Sequence, residues 1–293
     1  MFRLAHVTDA HLGPLPRPRW RELASKRVLG YVNWRLNRGG RHADGVVDEL
    51  VEDMARHEPD HIAVTGDLVN IAMPHEFETA LAFLELMGPD DRVSFVPGNH
   101  DAYVRATASH PQRIWGHYMT GDGEEGPTFP YVRRRGPIAL VGVSSAIPTA
   151  PFSASGRLGP EQCRRLEDTL AALTSEGLFR IVMIHHPPTA YEQARVRRLI
   201  DVRQVSDAIA RGGAELVIHG HEHLFQKTEI YAGGARIPVL GAPSCTRGYG
   251  KRRSGGGYLV YEVDGEAGAW TCNALLRTPR RSGGYETSWS ETL

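Results

Sequence analysis

The 293-residue sequence has few cysteines, no surplus of either charge and no long apolar run. Its three cysteines, Cys163, Cys245 and Cys272, are odd in number and include no C-x-x-C pair, which argues against a disulfide framework or a thiolate zinc site. Basic and acidic residues each total 34, so no global field favours nucleic acid or a membrane. With no signal-peptide pattern and no run that could span a bilayer, we expect a cytoplasmic protein.

What is present is an ordinary globular composition, with 41% hydrophobic and 23% charged residues and ample chain for a large core. Residues 1–276 contain neither repeats nor a linker, so they are predicted to form a single domain. Segment 277–293 is polar and lacks periodicity. It is predicted to be a tail that is poorly ordered or acts as a strap.

Apolar periodicity predicts alternating strands and helices along most of the chain. The predicted helices are 43–57, 75–87, 160–176 and 203–211. The predicted strands are 2–8, 61–65, 92–96, 129–133, 138–144, 180–184 and 215–218, followed by short β runs to about 276. Such alternation is typical of parallel strands with crossover helices, and α/β proteins bind ligands at the carboxyl ends of those strands.

Five of these predicted strand ends carry side chains that can bind metal ions. They are Asp9 and His11, Asp67, Asn99 and His100, His185, and His221 and His223. Each block alone could be an ordinary turn, but five in succession have no common structural cause. Imidazole and carboxylate suit manganese, iron or zinc, whereas an all-oxygen magnesium or calcium site would not need so many nitrogens. A carboxylate can bridge two ions, and such a pair clamps a phosphate while holding a metal-bound hydroxide in line for attack.

The order of these motifs resembles that of the calcineurin-like metallophosphoesterase superfamily. Its pattern of D-x-H, G-D, G-N-H-D/E, H and G-H-x-H is matched in sequence between residues 9 and 223. The resemblance implies an α/β fold, a four-layer α-β-β-α sandwich of two mixed sheets, with a dinuclear site at the sheet edges. The G-D-L-V-N sequence from Gly66 and the H-H-P-P sequence from His185 are similar to those of bacterial cyclic-nucleotide and glycerophosphodiester phosphodiesterases.

The resemblance also implies a role for each matched residue. The ligands of one ion would be Asp9, His11, Asp67 and His223. Those of the second ion would be Asp67, Asn99, His185 and His221, with Asp67 as the bridge. His100 would stabilise the phosphoryl oxygens or protonate the leaving alkoxide, and Asp101 would orient its ring.

Several other residues have open roles. His185 is preferred as the ligand over adjacent His186 because it is nearer the strand, and His186 could instead lie beside the ligands. Cys245 could lie near the site, although a packed thiol is the simpler interpretation. Surface or core roles are expected for His57, His61, His75 and His219.

Segment 12–42 departs from the superfamily pattern, since it contains eight basic residues and one acid, Glu22, interleaved with aromatic and aliphatic side chains. The basic residues are Arg17, Arg19, Arg21, Lys26, Arg27, Arg35, Arg38 and Arg41. The spacing from Arg21 to Arg38 predicts a short amphipathic helix. The segment could be a structural cap, or a surface for phospholipid headgroups, a lipid-linked substrate or nucleic acid. In composition it is similar to relatives that cleave UDP-2,3-diacylglucosamine.

The leading hypothesis is a metal-dependent phosphodiesterase acting on a small or lipid-linked phosphodiester or pyrophosphate, in the cytoplasm or peripherally at the inner membrane. A pyrophosphohydrolase acting on UDP-2,3-diacylglucosamine and a nuclease are alternatives, and zero net charge counts against the nuclease. A non-catalytic metal-binding scaffold is disfavoured because all seven expected ligands and His100 are present. Nothing in the sequence specifies an oligomeric state.

Overall fold

The computed structural model describes residues 1–15, 18–23, 25–37, 45–189, 194–247 and 255–293. This part of the chain contains twelve strands and six α-helices. The strands are β1 (Phe2–Val7), β2 (His61–Val64), β3 (Val93–Phe95), β4 (Tyr131–Arg135), β5 (Ile138–Gly142), β6 (Phe179–Met183), β7 (Leu216–His219), β8 (Gln226–Ala232), β9 (Ala235–Gly241), β10 (Tyr258–Asp264), β11 (Thr271–Pro279) and β12 (Tyr285–Thr292). The helices are α1 (Arg27–Asn37), α2 (Val46–Arg56), α3 (Pro74–Met87), α4 (His110–Ile114), α5 (Pro160–Leu173) and α6 (Val202–Gly212).

The strands form two mixed sheets of six strands each. The first has the order β12-β11-β10-β1-β2-β3, in which β1, β2 and β3 are parallel and the other neighbours antiparallel. The second has the order β4-β5-β6-β7-β9-β8, in which β5, β6, β7 and β9 are parallel and the edge strands antiparallel. Parallel strands thus form one side of the first sheet and the centre of the second, and the predicted alternation of strands and helices accounts for them.

Helices cover the outer faces of both sheets. Leu50 of α2 and Phe77 of α3 belong to the main core, which also contains residues of the facing surfaces of both sheets. Leu166 of α5 and Ile209 of α6 belong to a second core against the other face of the second sheet. The predicted α-β-β-α sandwich is confirmed. None of the described helices combines the length and the apolar character needed to cross a bilayer.

The sequence-predicted elements agree with the structure to within a few residues, with two differences. The predicted helix from Arg21 to Arg38 is shorter, since α1 covers Arg27–Asn37, and Arg17, Arg38 and Arg41 lie outside the described residues. Segment 277–293 is predicted to be poorly ordered or to act as a strap, and the first alternative does not hold, because β12 pairs with β11 along its length. Tyr285 is buried and Trp289 packs against the core, so two aromatic side chains anchor an otherwise polar strand.

Helix α1 packs on the loops that follow β2 and β3. Trp34 is buried in a small cluster with Leu15, Ile71 and Met73. The Arg27 guanidinium donates to the carbonyls of Ile71 and Ala72, at 3.0 and 2.5 Å. The segment therefore lies at the carboxyl end of the parallel strands of the first sheet.

Candidate metal centre

All seven predicted metal ligands and His100 lie at the carboxyl ends of five parallel strands. Asp9 and His11 follow β1, Asp67 follows β2, Asn99 and His100 follow β3, His185 follows β6, and His221 and His223 follow β7. Because the first three strands belong to one sheet and the other two to its partner, the site is assembled where the two sheets meet.

Five of these residues have left-handed backbone conformations. Their φ angles are 52° at Asp9, 41° at His11, 58° at Asp67, 74° at His221 and 57° at His223. Positive φ is uncommon for residues other than glycine, and such strain concentrates where the surrounding structure holds functional side chains. The backbone turns sharply at these positions and directs the side chains toward one another.

Gly98 permits a close approach between the loops that follow β2 and β3. A β-carbon at Gly98 would lie 2.2 Å from Asp67 Oδ1 and 2.7 Å from the Asp67 nitrogen. The His100 backbone N–H, two residues on, donates to Asp67 Oδ1 at 2.7 Å. Glycine is therefore required for the Asp67 carboxylate to reach its position in the centre.

The first group of donor atoms belongs to Asp9, His11, Asp67 and His223, and one ligand atom of each lies within 4.8 Å of all the others. His223 Nε2 lies 3.0 Å from Asp9 Oδ1 and 3.1 Å from His11 Nε2. His11 Nε2 lies 3.8 Å from Asp67 Oδ2. These four side chains are those that the sequence assigned to one ion.

The second group is joined to the first through Asp67. His185 Nε2 lies 3.4 Å from Asp67 Oδ2 and 3.3 Å from Asn99 Oδ1. His221 Nδ1 lies 3.0 Å from the same Asn99 oxygen. Asp67 Oδ2 thus lies between His11 and His185, the position expected of a bridging carboxylate.

Backbone carbonyls fix the orientation of three of these imidazole rings. His11 Nδ1 donates to Val69 at 3.1 Å, and His185 Nδ1 donates to Thr65 at 2.6 Å. His221 Nε2 donates to Arg197 at 2.7 Å. Each ring consequently turns its other nitrogen toward the carboxylates and Asn99, which is the usual arrangement for histidines that ligate a metal.

Electrostatics favour a cation between the two groups. Burial raises the pKa of Asp67, but the His185 and His100 rings hold it well below its ordinary value. Burial lowers the pKa of His185, but the Asp67 carboxylate outweighs that effect and raises it to about 9. Burial and the His185 ring lower the pKa of His221 to about 3, so that ring is neutral and able to ligate.

The residues present fit a pair of divalent ions. Asp9 Oδ1 is buried, and no donor in the described part of the chain makes a hydrogen bond of good geometry to it. His221 Nε2–H donates to the Arg197 carbonyl, so the lone pair of His221 Nδ1 faces the lone pairs of Asn99 Oδ1. Lone pairs that face one another in a buried site are stabilised by a cation, and this mixture of nitrogen and oxygen atoms suits transition metals.

His186 lies beside the site with both ring nitrogens hydrogen-bonded. Nδ1 lies 2.7 Å from Ser145 Oγ, and Nε2 donates to the Ala154 carbonyl at 3.1 Å. The centroid of its ring lies 4.4 Å from the centroid of the His221 ring. His185, His186 and His221 form a cluster whose ligand atoms lie within 4.8 Å of one another. The His186 nitrogens face Ser145 and Ala154 whereas His185 Nε2 faces Asp67, which favours His185 as the ligand.

His100 and Asp101 do not form the predicted pair. His100 Nδ1 donates to the Asn70 carbonyl at 2.5 Å. The Asp101 carboxylate instead accepts backbone N–H bonds from Asp67 and Gly98, both at 2.8 Å, and from Leu68 at 3.0 Å. The prediction that Asp101 orients the His100 ring is wrong, because the nearest donors to its buried carboxylate are main-chain groups of two loops.

The other residues for which the sequence left the role open lie outside the two donor groups. His61 and His219 are buried in the core. Cys245 is also buried, and its backbone N–H donates to the Thr8 carbonyl at 3.0 Å, next to Asp9. It lies near the site as a packed thiol.

Above the donor groups lies a cavity of about 520 Å³. Its floor includes Asp67, Asn99, His100, His221 and His223, and its walls include Ala154, Arg197, Glu222, Leu224 and Arg247. Sequence reasoning did not assign the two arginines to the site. Neither follows a predicted strand directly, so only the folded arrangement of loops reveals them.

Comparison with known proteins agrees with this geometry. Residues 2–225 match the profile of the family described as calcineurin-like phosphoesterase. A probable cyclic nucleotide phosphodiesterase of Synechococcus sp. (strain WH7803) is 27% identical over 241 residues, which cover 78% of this chain and 82% of that protein.

Two solved structures share the fold at low sequence identity. A dimetal phosphatase from Danio rerio is 12% identical, with a TM-score of 0.64 and 98% of each chain covered. The purple acid phosphatase PPD1 of yellow lupin is 12% identical, with a TM-score of 0.56, covering 99% of this chain and 53% of that one. Because the family profile matches most of its length and the strand ends carry groups that could hold metal ions, the chain belongs to the calcineurin-like phosphoesterase family of metal-dependent phosphoric ester hydrolases.

Proposed function

We propose that the protein is a dinuclear phosphodiesterase that cleaves a small phosphodiester at the centre built around Asp67. The observation that carries the proposal is the sharing of Asp67 Oδ2 between His11 and His185, at 3.8 and 3.4 Å. One ion would be held by the group of Asp9, His11, Asp67 and His223. The other would be held by Asp67, Asn99, His185 and His221.

When bound, two divalent ions polarise a phosphoryl group and activate water. Manganese, iron and zinc all suit the donor set. His100 lines the cavity beside Asp67 and Asn99, and its hydrogen bond to the Asn70 carbonyl fixes the ring. We assign it to stabilising the phosphoryl oxygens or to giving a proton to the leaving alkoxide.

The similarity to a probable cyclic nucleotide phosphodiesterase supports a small phosphodiester as the substrate. The cavity of about 520 Å³ is large enough for a ligand of nucleotide size. We propose a phosphodiester rather than a phosphate monoester on the basis of that similarity.

The test is hydrolysis of bis(4-nitrophenyl) phosphate by manganese-loaded protein, compared with Asp67→Asn. Loss of the bridging carboxylate should remove paired metal binding and lower turnover at least a hundredfold. Asp168→Asn is the matched control, since Asp168 lies exposed on α5. Full activity of Asp67→Asn with two bound ions would contradict the mechanism.

A second candidate, a lipid-linked substrate met at an anionic phospholipid surface, is favoured by the outer face of α1. Val28, Leu29 and Val32 are exposed there, and Trp20 is 75% exposed just before the helix. Basic residues accompany them, so the face complements anionic lipid in both charge and apolarity. The described basic residues of this segment that are not buried are Arg19, Arg21, Lys26 and Arg35, whereas Arg27 is buried.

Co-sedimentation with phosphatidylglycerol and phosphatidylcholine vesicles tests the second candidate. The protein should bind the anionic vesicles, and a triple variant Val28→Ser, Leu29→Ser and Val32→Ser should lose that binding. Leu86→Ser is the control, because Leu86 is equally exposed on α3. Equal binding by the triple variant would refute the membrane surface. Steeply salt-dependent binding of DNA in its place would favour the nuclease alternative.

A further inference from the structure

The cavity wall opposite the donor groups carries two cations. The Arg197 and Arg247 side chains line it together with one carboxylate, that of Glu222. The remaining wall residues, Ala154 and Leu224, are uncharged. Bound metal ions would account for one phosphoryl group on the floor, and the two guanidinium groups on the wall could bind a further one.

The loop that carries Arg197 is held rigidly against the metal centre. The Arg197 carbonyl accepts the Nε2 proton of His221, at 2.7 Å. The flanking Val196 carbonyl accepts from the Ala154 N–H at 2.6 Å, and Arg198 accepts from Gly156 at 3.2 Å. Ala154 is itself bound to His186. His221 and His186, whose rings pack against each other, thus support the two loops of this wall. The main chain at Arg197 is therefore held at a fixed distance from the donor groups.

Arg247 is positioned from the other side of the cavity. The loop after β9 that leads to it lies across the end of β1, where Ser244 Oγ donates to the Asp9 carbonyl at 2.8 Å. Thr246 Oγ1 donates to the Ala10 carbonyl at 2.6 Å. The backbone next to Arg247 is therefore tied to the residue that supplies the first metal ligand.

The interaction of Arg197 with Glu222 leaves its guanidinium available to a ligand. Arg197 Nη2 lies 3.7 Å from Glu222 Oε2, and the arginine side chain is 59% exposed. The Glu222 side chain is 12% exposed and keeps this contact, but 3.7 Å is longer than a hydrogen bond, so the exposed N–H groups of Arg197 can still donate to a phosphate. Guanidinium also matches phosphate oxygens in a two-pronged geometry that lysine lacks.

We propose that Arg197 and Arg247 form a binding site for a second phosphoryl group, and that the preferred substrates are diphosphate diesters. This inference rests on the proposed function, since the scissile phosphoryl group would occupy the donor groups on the floor. A substrate with a single phosphodiester would place neutral sugar or base against the two guanidinium groups. A diphosphate places its second negative charge there.

The test measures the equilibrium binding of two nucleotides to manganese-loaded protein by titration calorimetry. The protein carries His100→Ala, which suppresses turnover. UDP-glucose carries a diphosphate diester and cyclic AMP a single phosphodiester. The double variant Arg197→Gln and Arg247→Gln should raise the Kd of UDP-glucose at least fivefold more than that of cyclic AMP. Arg195→Gln is the matched control, because Arg195 is exposed on the same loop and does not line the cavity.

Equal weakening of both nucleotides in the double variant would overturn the proposal, because the arginines would then serve the scissile phosphate. No change in either Kd would overturn it as well. The proposed function is tested separately by hydrolysis of bis(4-nitrophenyl) phosphate, which contains one phosphoryl group and does not need the second site. Failure of that reaction would refute the phosphodiesterase, while the ratio of the two Kd values would still test the arginines.

Discussion

At the scale of single residues, Asp101 shows how a side chain in a catalytic motif can act on the backbone alone. Its two oxygens accept hydrogen bonds from the N–H groups of Asp67, Leu68, Val69 and Gly98. These groups begin the two loops that present Asp67 and Asn99. Carboxylates are suited to such clusters, because both oxygens accept and neither must donate.

Asp101→Asn should therefore destabilise the fold as well as the site. An asparagine would turn an NH₂ group toward main-chain donors and leave buried N–H groups unpaired, which costs about 1–3 kcal/mol for each group lost. We expect lower free energy of unfolding in urea and lower metal content at equal protein concentration. Unchanged stability with a reduced rate alone would instead support the orientation of His100 by Asp101.

His100→Ala should separate metal binding from turnover. The ring lines the cavity, and its Nδ1 donates to the Asn70 backbone carbonyl, so its removal should spare both donor groups. Loss of a group that stabilises or protonates a leaving oxygen lowers kcat about a hundredfold or more. Metal content by mass spectrometry and kcat on bis(4-nitrophenyl) phosphate are the two measurements, with exposed His117→Ala as control. Lost metal would show that His100 is a ligand.

At the scale of elements, α1 is anchored by two buried side chains, Trp34 in its apolar cluster and Arg27 in a set of hydrogen bonds. Besides its bonds to the Ile71 and Ala72 carbonyls, the Arg27 guanidinium donates to Thr107 Oγ1 at 3.3 Å. Lys26, the preceding residue, places Nζ 4.2 Å from the centroid of the Tyr103 ring and donates to Thr149. The segment thus connects loops from both sheets above the site.

Arg27→Met should loosen this segment while sparing the core. Methionine keeps much of the side-chain length but leaves the carbonyls of Ile71 and Ala72 without their donor. Destabilisation of about 2 kcal/mol is expected. Hydrogen exchange in α1 should accelerate more than in α5, and Arg35→Met, an exposed change on the same helix, should have little effect. Uniform acceleration across the whole chain would contradict a local anchor.

The sequence predicted the floor of the site better than its walls. Strand ends are visible in sequence because an apolar run stops at a polar residue, and parallel strands bring those ends to one edge. Arg197 and Arg247 lie in loops whose paths depend on tertiary hydrogen bonds, so no local pattern marks them. The strand β12 was missed for a related reason, since its few inward side chains are separated by exposed polar residues.

At the scale of the whole molecule, the site depends on the alignment of two separate sheets. His185 Nδ1 donates to Thr65, across the junction between them. The His221 backbone N–H donates to Asp9 Oδ2 at 2.9 Å, and Tyr131 Oη donates to the Phe95 carbonyl at 2.9 Å. These cross-sheet bonds fix the relative position of the two halves of the metal centre.

A buried ion pair connects α2 with the carboxyl-terminal strands and should give stability a defined pH dependence. Asp53 accepts from Arg277 at 2.7 Å and from Tyr258 at 2.7 Å. Burial raises the pKa of Asp53, but the hydrogen bonds from Arg277 and Tyr258 lower it by a larger amount, so the net shift is downward. A lowered folded-state pKa contributes stability that is complete above the unfolded pKa of about 4 and is lost as pH falls through the folded value.

Asp53→Asn should therefore lower the free energy of unfolding by about 3 kcal/mol at pH 7. The difference from the unmodified protein should narrow as pH falls below about 4. Urea unfolding of both proteins at a series of pH values measures this difference in the free energy of unfolding. Asp48→Asn, an exposed change on the same helix, should show no comparable effect. A difference that stays constant down to pH 2 would mean that the ion pair does not supply the stability.

The position of β1 between β10 and β2 has a consequence for biosynthesis. On the ribosome, β1 emerges long before β10, yet its register with β10 runs from Phe2 opposite Val263 to His6 opposite Leu259. One edge of β1 therefore stays unpaired until β10 has been synthesised, late in translation. Contacts between residues so distant in sequence slow folding. We expect nascent chains that end before residue 258 to be protease-sensitive and unable to retain metal, even though every predicted ligand has already been synthesised.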